Sequence, residues 1–181
     1  MGYGLGEDAD ELARRLPAGV EAYEAHVRCA GFTPHEFADL DSYVVSLWLV
    51  SFALIFKVDE SLWNRLLACI GNEGRDVLFE TLVETRTPSR KPAQGLAHPK
   101  IFEPLFNAIA AKAESRNAFI KRYLKDWCTA LGNAYWVDTH KRPDGGYFGY
   151  WAVEVAGVVA AFGMDDGAFR DLPHYPKALI G

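Results

Sequence analysis

Only three of the 181 residues are cysteine: Cys29, Cys69 and Cys128, far apart and odd in number. Without a CxxC pair there is no disulfide scaffold, zinc ribbon or thiol redox motif, so the three read as buried thiols of a reducing cytosol. The five histidines, His26, His35, His98, His140 and His174, form no HxxxH, HExxH or HxH. That removes the usual ligand spacing, and no metal and no cofactor are expected. The nearest approaches to a glycine-rich phosphate loop are NEGRD (72–76) and PDGGYFGY (143–150). Neither has the Lys and Ser/Thr of a P-loop or a strand before it. No GxSxG marks a nucleophile. The longest uncharged run, SYVVSLWLVSFALIF from Ser42 to Phe56, has 15 residues and is flanked by Asp39, Asp41, Lys57 and Asp59. A bilayer needs roughly 20 apolar residues, so this run is a buried helix and no membrane span is expected. The opening MGYGLGEDADELARR lacks a basic stretch followed by an apolar one, hence no secretory signal and a cytoplasmic location are expected.

Half of the residues are apolar, enough for the core of one domain. No run alternates apolar and polar residues in the manner of a strand, and no repeat of fixed period is present. Residues 7–31 carry Leu12, Leu16, Val20, Tyr23 and Val27 at three- and four-residue steps, a helix interrupted or bent near Pro17 with Gly31 as a stop. Thr33 and Pro34 read as N-cap and first residue leading into the central apolar helix. Asp59 caps a short helix through Ile70 that stops at Gly71. The next segment, NEGRDVLFETLVETR, sets Val77, Leu78, Leu82 and Val83 on one side and Glu73, Asp76, Glu80 and Glu84 on the other. TPSRKPAQGLAHP (87–99) joins two helical layers. Beyond it come helices over Pro99–Ala113, with Ile101, Leu105, Phe106 and Ile109 inward, and Arg116–Trp136, with Phe119, Ile120, Tyr123, Leu124, Trp127 and Leu131 inward. A last apolar helix covers 148–163, and Asp165 caps a final turn. The expectation is an all-α single domain, a layered or orthogonal bundle of about seven helices, with an N-terminal layer over 1–85 and a C-terminal layer over 86–181.

Charge is divided unevenly along the chain. Residues 1–85 hold 15 acidic and 6 basic side chains, a net of −9; residues 86–142 hold 4 and 11, a net of +7; residues 143–181 hold 5 and 2, a net of −3. The overall balance of −5 argues against a dedicated nucleic-acid binder. The basic stretch FIKRYLKDW (119–127) mixes cations with aromatics, but its rings fall on the inward side of a helix, so no direct nucleic-acid contact is expected.

One acid stands apart. Glu154 is the single charge in GYFGYWAVEVAGVVAAFGM (146–164), on a helix apolar all round. A buried carboxylate must be paired or protonated, because an unpaired one costs several kcal/mol. The nearest cationic stretch in sequence is His140-Lys141-Arg142, in which His140 and Lys141 are the candidate partners. The expectation is therefore that Glu154 anchors the 138–142 segment through one of them, with Tyr150 and Trp151 sealing the pair from water.

In order, YLKDWCTALGNAYWVDTHK, GYFGYWAVEVAGVVAAFGMDDGAF and HYPKALI resemble the C-terminal part of the PoNi family, immunity proteins paired with PoNe-type DNase toxins. DLDSYVVSLWLVSFALIFKVDESLWNRL, GRDVLFETLVETRTPSRK and HPKIFEPLF are similar to the rest of that family's pattern, so the resemblance spans nearly the whole chain. It implies an all-helical cytoplasmic protein, without catalysis or cofactor, whose partner is a cognate DNase toxin. It implies too that His140, Lys141, Gly149, Tyr150, Trp151, Glu154, Asp165, Asp166, Tyr175 and Pro176 are framework. The chain departs from the pattern at His174, where a second aromatic is expected.

A DNase has a cationic DNA groove, which an acidic partner can be steered to and occupy. The acids expected at that contact are Glu73, Asp76, Glu80 and Glu84 on one helix and Glu7, Asp8, Asp10 and Glu11 at the start. Two other readings stand beside this one: a helical scaffold or regulatory module, which leaves a homodimer open, and an enzyme with a pocket around Glu154 and His140.

Overall fold

A computed structural model describes residues 8–29, 36–141 and 149–181, the side chain of His140 apart. The expected stop at Gly31, the Thr33–Pro34 cap and Glu7 lie outside the described residues. Among those described there are seven α-helices and no strand: α1 (Ala9–Val27), α2 (Leu40–Ile55), α3 (Glu60–Ile70), α4 (Val77–Val83), α5 (Pro99–Ala110), α6 (Ala113–Ala130) and α7 (Val153–Phe162). The protein is all-α, as its periodicity indicates.

Most helix starts are set by one device. Asp8, Asp39, Asp59 and Asp76 stand at the N-caps of α1 to α4, each accepting a hydrogen bond from the backbone N–H three residues on. Each carboxylate satisfies a donor with no intrahelical partner and sits at the positive end of the helix dipole. α3 stops at Gly71 (φ 60°) and α7 at Gly163 (φ 58°, ψ 41°), where a residue with a Cβ is strained. Of the helix expected to be interrupted or bent near Pro17, the interruption is corrected: α1 runs through it from Ala9 to Val27. Proline removes one backbone donor, and the face bearing Leu16, Val20 and Glu24 stays buried across it. The helix expected to reach Trp136 stops at Ala130, before Gly132 and Asn133, and turns carry the chain on. In those turns the Tyr135 N–H donates to Asp41 Oδ1 at 2.9 Å, tying them to the start of α2.

Packing comes in pairs: α1 against α3, α2 against α7, and α5 against α6. The α2–α7 pair joins the others, since α2 also touches α1, α3 and α4 and α7 touches α4 and α5. One contiguous apolar core draws on all seven helices, so the N-terminal and C-terminal segments meet inside it. The two middle helices come unusually close. A Cβ built on Gly157 of α7 would lie 2.3 Å from Ser51 Oγ and 2.9 Å from Ser51 Cα on α2. Only glycine permits that approach. Ser51 Oγ itself donates to Leu47 O at 2.7 Å, within its own helix, so the serine is satisfied without a partner across the crossing.

Candidate functional site

Glu154 occupies the second position of α7, where the end of the helix offers free backbone N–H groups, and its side chain is 1% exposed. It reaches three donors from two other helices. Trp48 Nε1 of α2 donates to Oε2 at 2.8 Å, and Tyr123 OH and Trp127 Nε1 of α6 donate to Oε1 at 2.7 and 2.6 Å. The expected anchor to His140 or Lys141 is therefore corrected as to Lys141: that ammonium pairs with Asp138 at 2.8 Å, on the surface. The side chain of His140 lies outside the described residues. The physical reason is geometric. Aromatic donors already inside the core satisfy the carboxylate without burying a cation, which would have to be stripped of water as well.

Burial pushes the Glu154 carboxyl up from its ordinary range, while the bonds from Tyr123, its own backbone N–H, Trp127 and Trp48 pull the other way. The same contact holds the Tyr123 hydroxyl well above the usual tyrosine range, through burial first and the neighbouring charge second. Around this centre the rings pack on one another, Trp136 lying 5.2 Å from Trp48 and 5.6 Å from Trp127. Enclosed by three rings at hydrogen-bond distance, the carboxylate presents no face to a substrate. The arrangement binds helices α2, α6 and α7 together.

The remaining motif residues act nearby. Tyr150 OH accepts from the Asp138 N–H at 3.0 Å and donates to Asp138 Oδ1 at 3.3 Å, so Lys141 and Tyr150 meet at Asp138, away from Glu154. Gly149 is in the left-handed region (φ 77°), and Trp151 is half-buried against the core. Of the two aspartates, Asp165 accepts from the Gly167 N–H at 3.1 Å. Buried Asp166 accepts from Tyr175 OH at 2.9 Å and Arg170 at 2.7 Å. Arg170 in turn donates to Ile180 O at 2.9 Å, clasping the C-terminal turn in which Pro176 is buried. At the family departure, His174 takes the aromatic part itself, stacked on Trp127 at 5.3 Å and 26°. Its Nδ1 lies 3.0 Å from the Tyr150 carbonyl, which can only accept, so Nδ1 carries the proton and Nε2 faces the Cys128 thiol at 3.4 Å.

The acidic stripe is not one solvent-facing surface. Asp76 is fully buried: Oδ1 accepts from the Phe79 N–H at 2.7 Å and Tyr43 OH at 3.0 Å, and Oδ2 from the Ala97 N–H at 2.7 Å. Glu80 is 3% exposed and holds Arg90 through two bonds, at 2.7 and 3.1 Å, and the Gly74 N–H at 2.9 Å. Both are corrected from outward to inward. α4 is only seven residues long and packs on α2 and α7, so the side that looks polar in sequence also faces protein. Glu73 and Glu84 are exposed, and Glu73 Oε1 accepts from the Lys91 N–H at 2.8 Å. On α1, Asp8 and Asp10 are exposed, while Glu11 pairs with Arg14 and Arg15 at 2.7 Å each.

Sequence reasoning missed the role of Trp48, Tyr123 and Trp127, reading all three as plain core. The signal was their chemistry: indole can only donate, so buried tryptophans near an isolated buried acid are natural partners for it. Among the described residues no group of three or more His, Cys, Asp or Glu side chains could hold a metal ion, and no helix is long and apolar enough to cross a membrane.

These features define an all-helical protein whose helices and loops are tied together by the buried carboxylates Glu154, Asp76 and Glu80. Residues 1–68 match the N-terminal family of PoNe immunity proteins (PoNi), and residues 74–179 match the C-terminal family of PoNe immunity proteins. The chain belongs to the PoNi immunity protein family. No curated protein and no solved structure matches it.

Proposed function

We propose that this chain binds a cognate PoNe-type DNase toxin and neutralises it by protein–protein contact through acidic surface, protecting the cell that makes it. Family membership over residues 1–68 and 74–179 carries the reading. The −9 balance of residues 1–85 supports the acidic contact, because a nuclease's DNA groove is cationic and an acidic partner associates with it faster and displaces phosphate. With Asp76 and Glu80 used inside the fold, the acids of the expected contact that remain available to a partner among the described residues are Glu73, Glu84, Asp8 and Asp10, with Glu11 half-exposed beside its arginines. Inhibition in this reading involves no turnover and no cofactor, and it takes place in the cytoplasm.

The test is co-expression with the product of the neighbouring open reading frame, followed by pull-down and a DNA-degradation assay. A stable complex in which nuclease activity disappears is the expected outcome. A free protein that leaves the nuclease active would refute the reading.

A further inference from the structure

We infer that the cavity between the end of α3 and the 36–38 turn is the anchor pocket for a basic side chain of the toxin. This rests on the immunity reading above and assigns it a place on the molecule. The cavity has a volume of about 820 Å³, within the range of true ligand sites. Phe37, Ile70 and Ala97 form its apolar floor, with Ala68 and Cys69 of α3 on its wall. Glu36 and Glu73, both exposed, stand in its lining with Arg75, so among the described residues the lining carries two acids against one arginine. α3 points its C-terminus here, with no basic residue in its last turn to offset the negative end of the helix dipole.

Hydrogen bonds fix the positions of several lining residues. Asn72 (φ 57°) donates through Nδ2 to Ile70 O at 2.9 Å and accepts the Phe37 N–H on Oδ1 at 3.3 Å, fixing the end of α3 to the 36–38 turn. Glu73 is held at Oε1 by the Lys91 N–H, and Gly74 donates its N–H to Glu80 at 2.9 Å. An apolar floor, an acidic rim and a helix C-terminus together suit an arginine or lysine whose aliphatic stem lies on the floor and whose charged head meets Glu36 and Glu73. A prearranged pocket of this kind loses little conformational entropy on binding, which is the condition for a hot spot.

The experiment uses the full chain and the nuclease that the co-expression test above identifies as its partner, with binding followed by titration and stopped flow. Three variants are compared: E36K/E73K reverses the rim, A68W fills the cavity, and E114K/D126K makes the same charge change on α6. Thermal melts of each establish that the fold is kept. Both pocket variants are expected to raise Kd about tenfold or more, E36K/E73K chiefly by slowing association and flattening its salt dependence, while the α6 variant stays near wild type. Alkylation of Cys69, followed by mass spectrometry, is expected to slow when the toxin is bound. If the pocket variants bind as tightly as wild type, or Cys69 reacts equally fast in the complex, the pocket assignment is overturned and the immunity reading stands. If the wild-type chain itself neither binds nor inhibits the nuclease, the immunity reading falls and the pocket assignment with it.

Discussion

Replacing Glu154 by glutamine removes one acceptor from a site where three donors converge. In the better of its two orientations the amide oxygen takes the place of Oε1 and keeps Tyr123 and Trp127. Nε2 then faces Trp48 Nε1 across what was a 2.8 Å hydrogen bond. Two N–H donors cannot share that space, and among the described residues the indole hydrogen-bonds only to Glu154. Leaving one buried donor unsatisfied costs about 1–3 kcal/mol. For a chain of this size that lowers Tm by about 2–12 °C, at roughly 2–4 °C per kcal/mol. Protonation of the native side chain does not mimic the change, because a carboxylic hydroxyl oxygen keeps lone pairs that can accept from indole, whereas an amide nitrogen does not. The partner variant W48F tests the cause. It removes the stranded donor, so it should destabilise E154Q less than it destabilises wild type, by about 0.5–3 kcal/mol of coupling. The pH dependence has a definite sign. The folded carboxyl is raised above its ordinary 4.5, so the unfolded chain ionises first as pH rises. The stability that wild type gains from Glu154 therefore declines through the window above 4.5 up to the folded value, and E154Q lacks that decline. Urea titrations of the four proteins across that window measure both effects. An E154Q protein as stable as wild type, with no coupling to Trp48, would refute the three-donor account.

G157A is expected to lower the urea midpoint, because a methyl group 2.3 Å from Ser51 Oγ must push α2 and α7 apart, a strain of about 1–3 kcal/mol against the roughly 1 kcal/mol by which alanine favours a helix; a more stable variant would mean the helices do not approach so closely. R90A should be far more destabilising than E84A in the same titration. It strands buried Glu80, and breaking a buried pair costs about 3–5 kcal/mol, whereas Glu84 is exposed and its removal should stay within about 0.5 kcal/mol. The hydroxyls of Tyr43, Tyr123 and Tyr175 are all raised above the ordinary tyrosine value of 10.0 by burial first, with the nearby carboxylates adding to it. The unfolded chain therefore ionises first, stability is lost above about pH 10, and these rings should form tyrosinate only as the chain unfolds, read by ultraviolet absorbance alongside circular dichroism.

Much of the fold could be read along the chain, because helix signals are local. Asp59 and Gly71 bound their helix as expected, the charge-free run from Ser42 forms the buried α2, and Gly163 ends α7 in the left-handed conformation. Asp165 could be read as a cap, whereas Asp166, Tyr175 and Pro176 are marked only through the family resemblance, and the clasp through Arg170 gives Asp166 and Tyr175 a physical role. The partner of Glu154 could not be found this way. Nearness in sequence favoured Lys141, whereas Trp48 lies 106 residues away. The acidic stripe misled for a related reason: one-dimensional amphipathicity cannot tell a polar face in water from one filled by Arg90 and backbone amides.

Short-range chemistry and ordered motifs suffice for the all-helical class, for the helix ends marked by Asp59, Gly71 and Gly163, and for the family. The tertiary structure alone decided which carboxylates are consumed inside the protein and which remain for a partner. That choice depends on which donors the crossing of α2, α6 and α7 and the loop after α4 bring within 3 Å, and on how close Gly157 allows the middle helices to come. Desolvation penalises a carboxylate wherever it is buried, but only the three-dimensional packing supplies the hydrogen bonds that offset it.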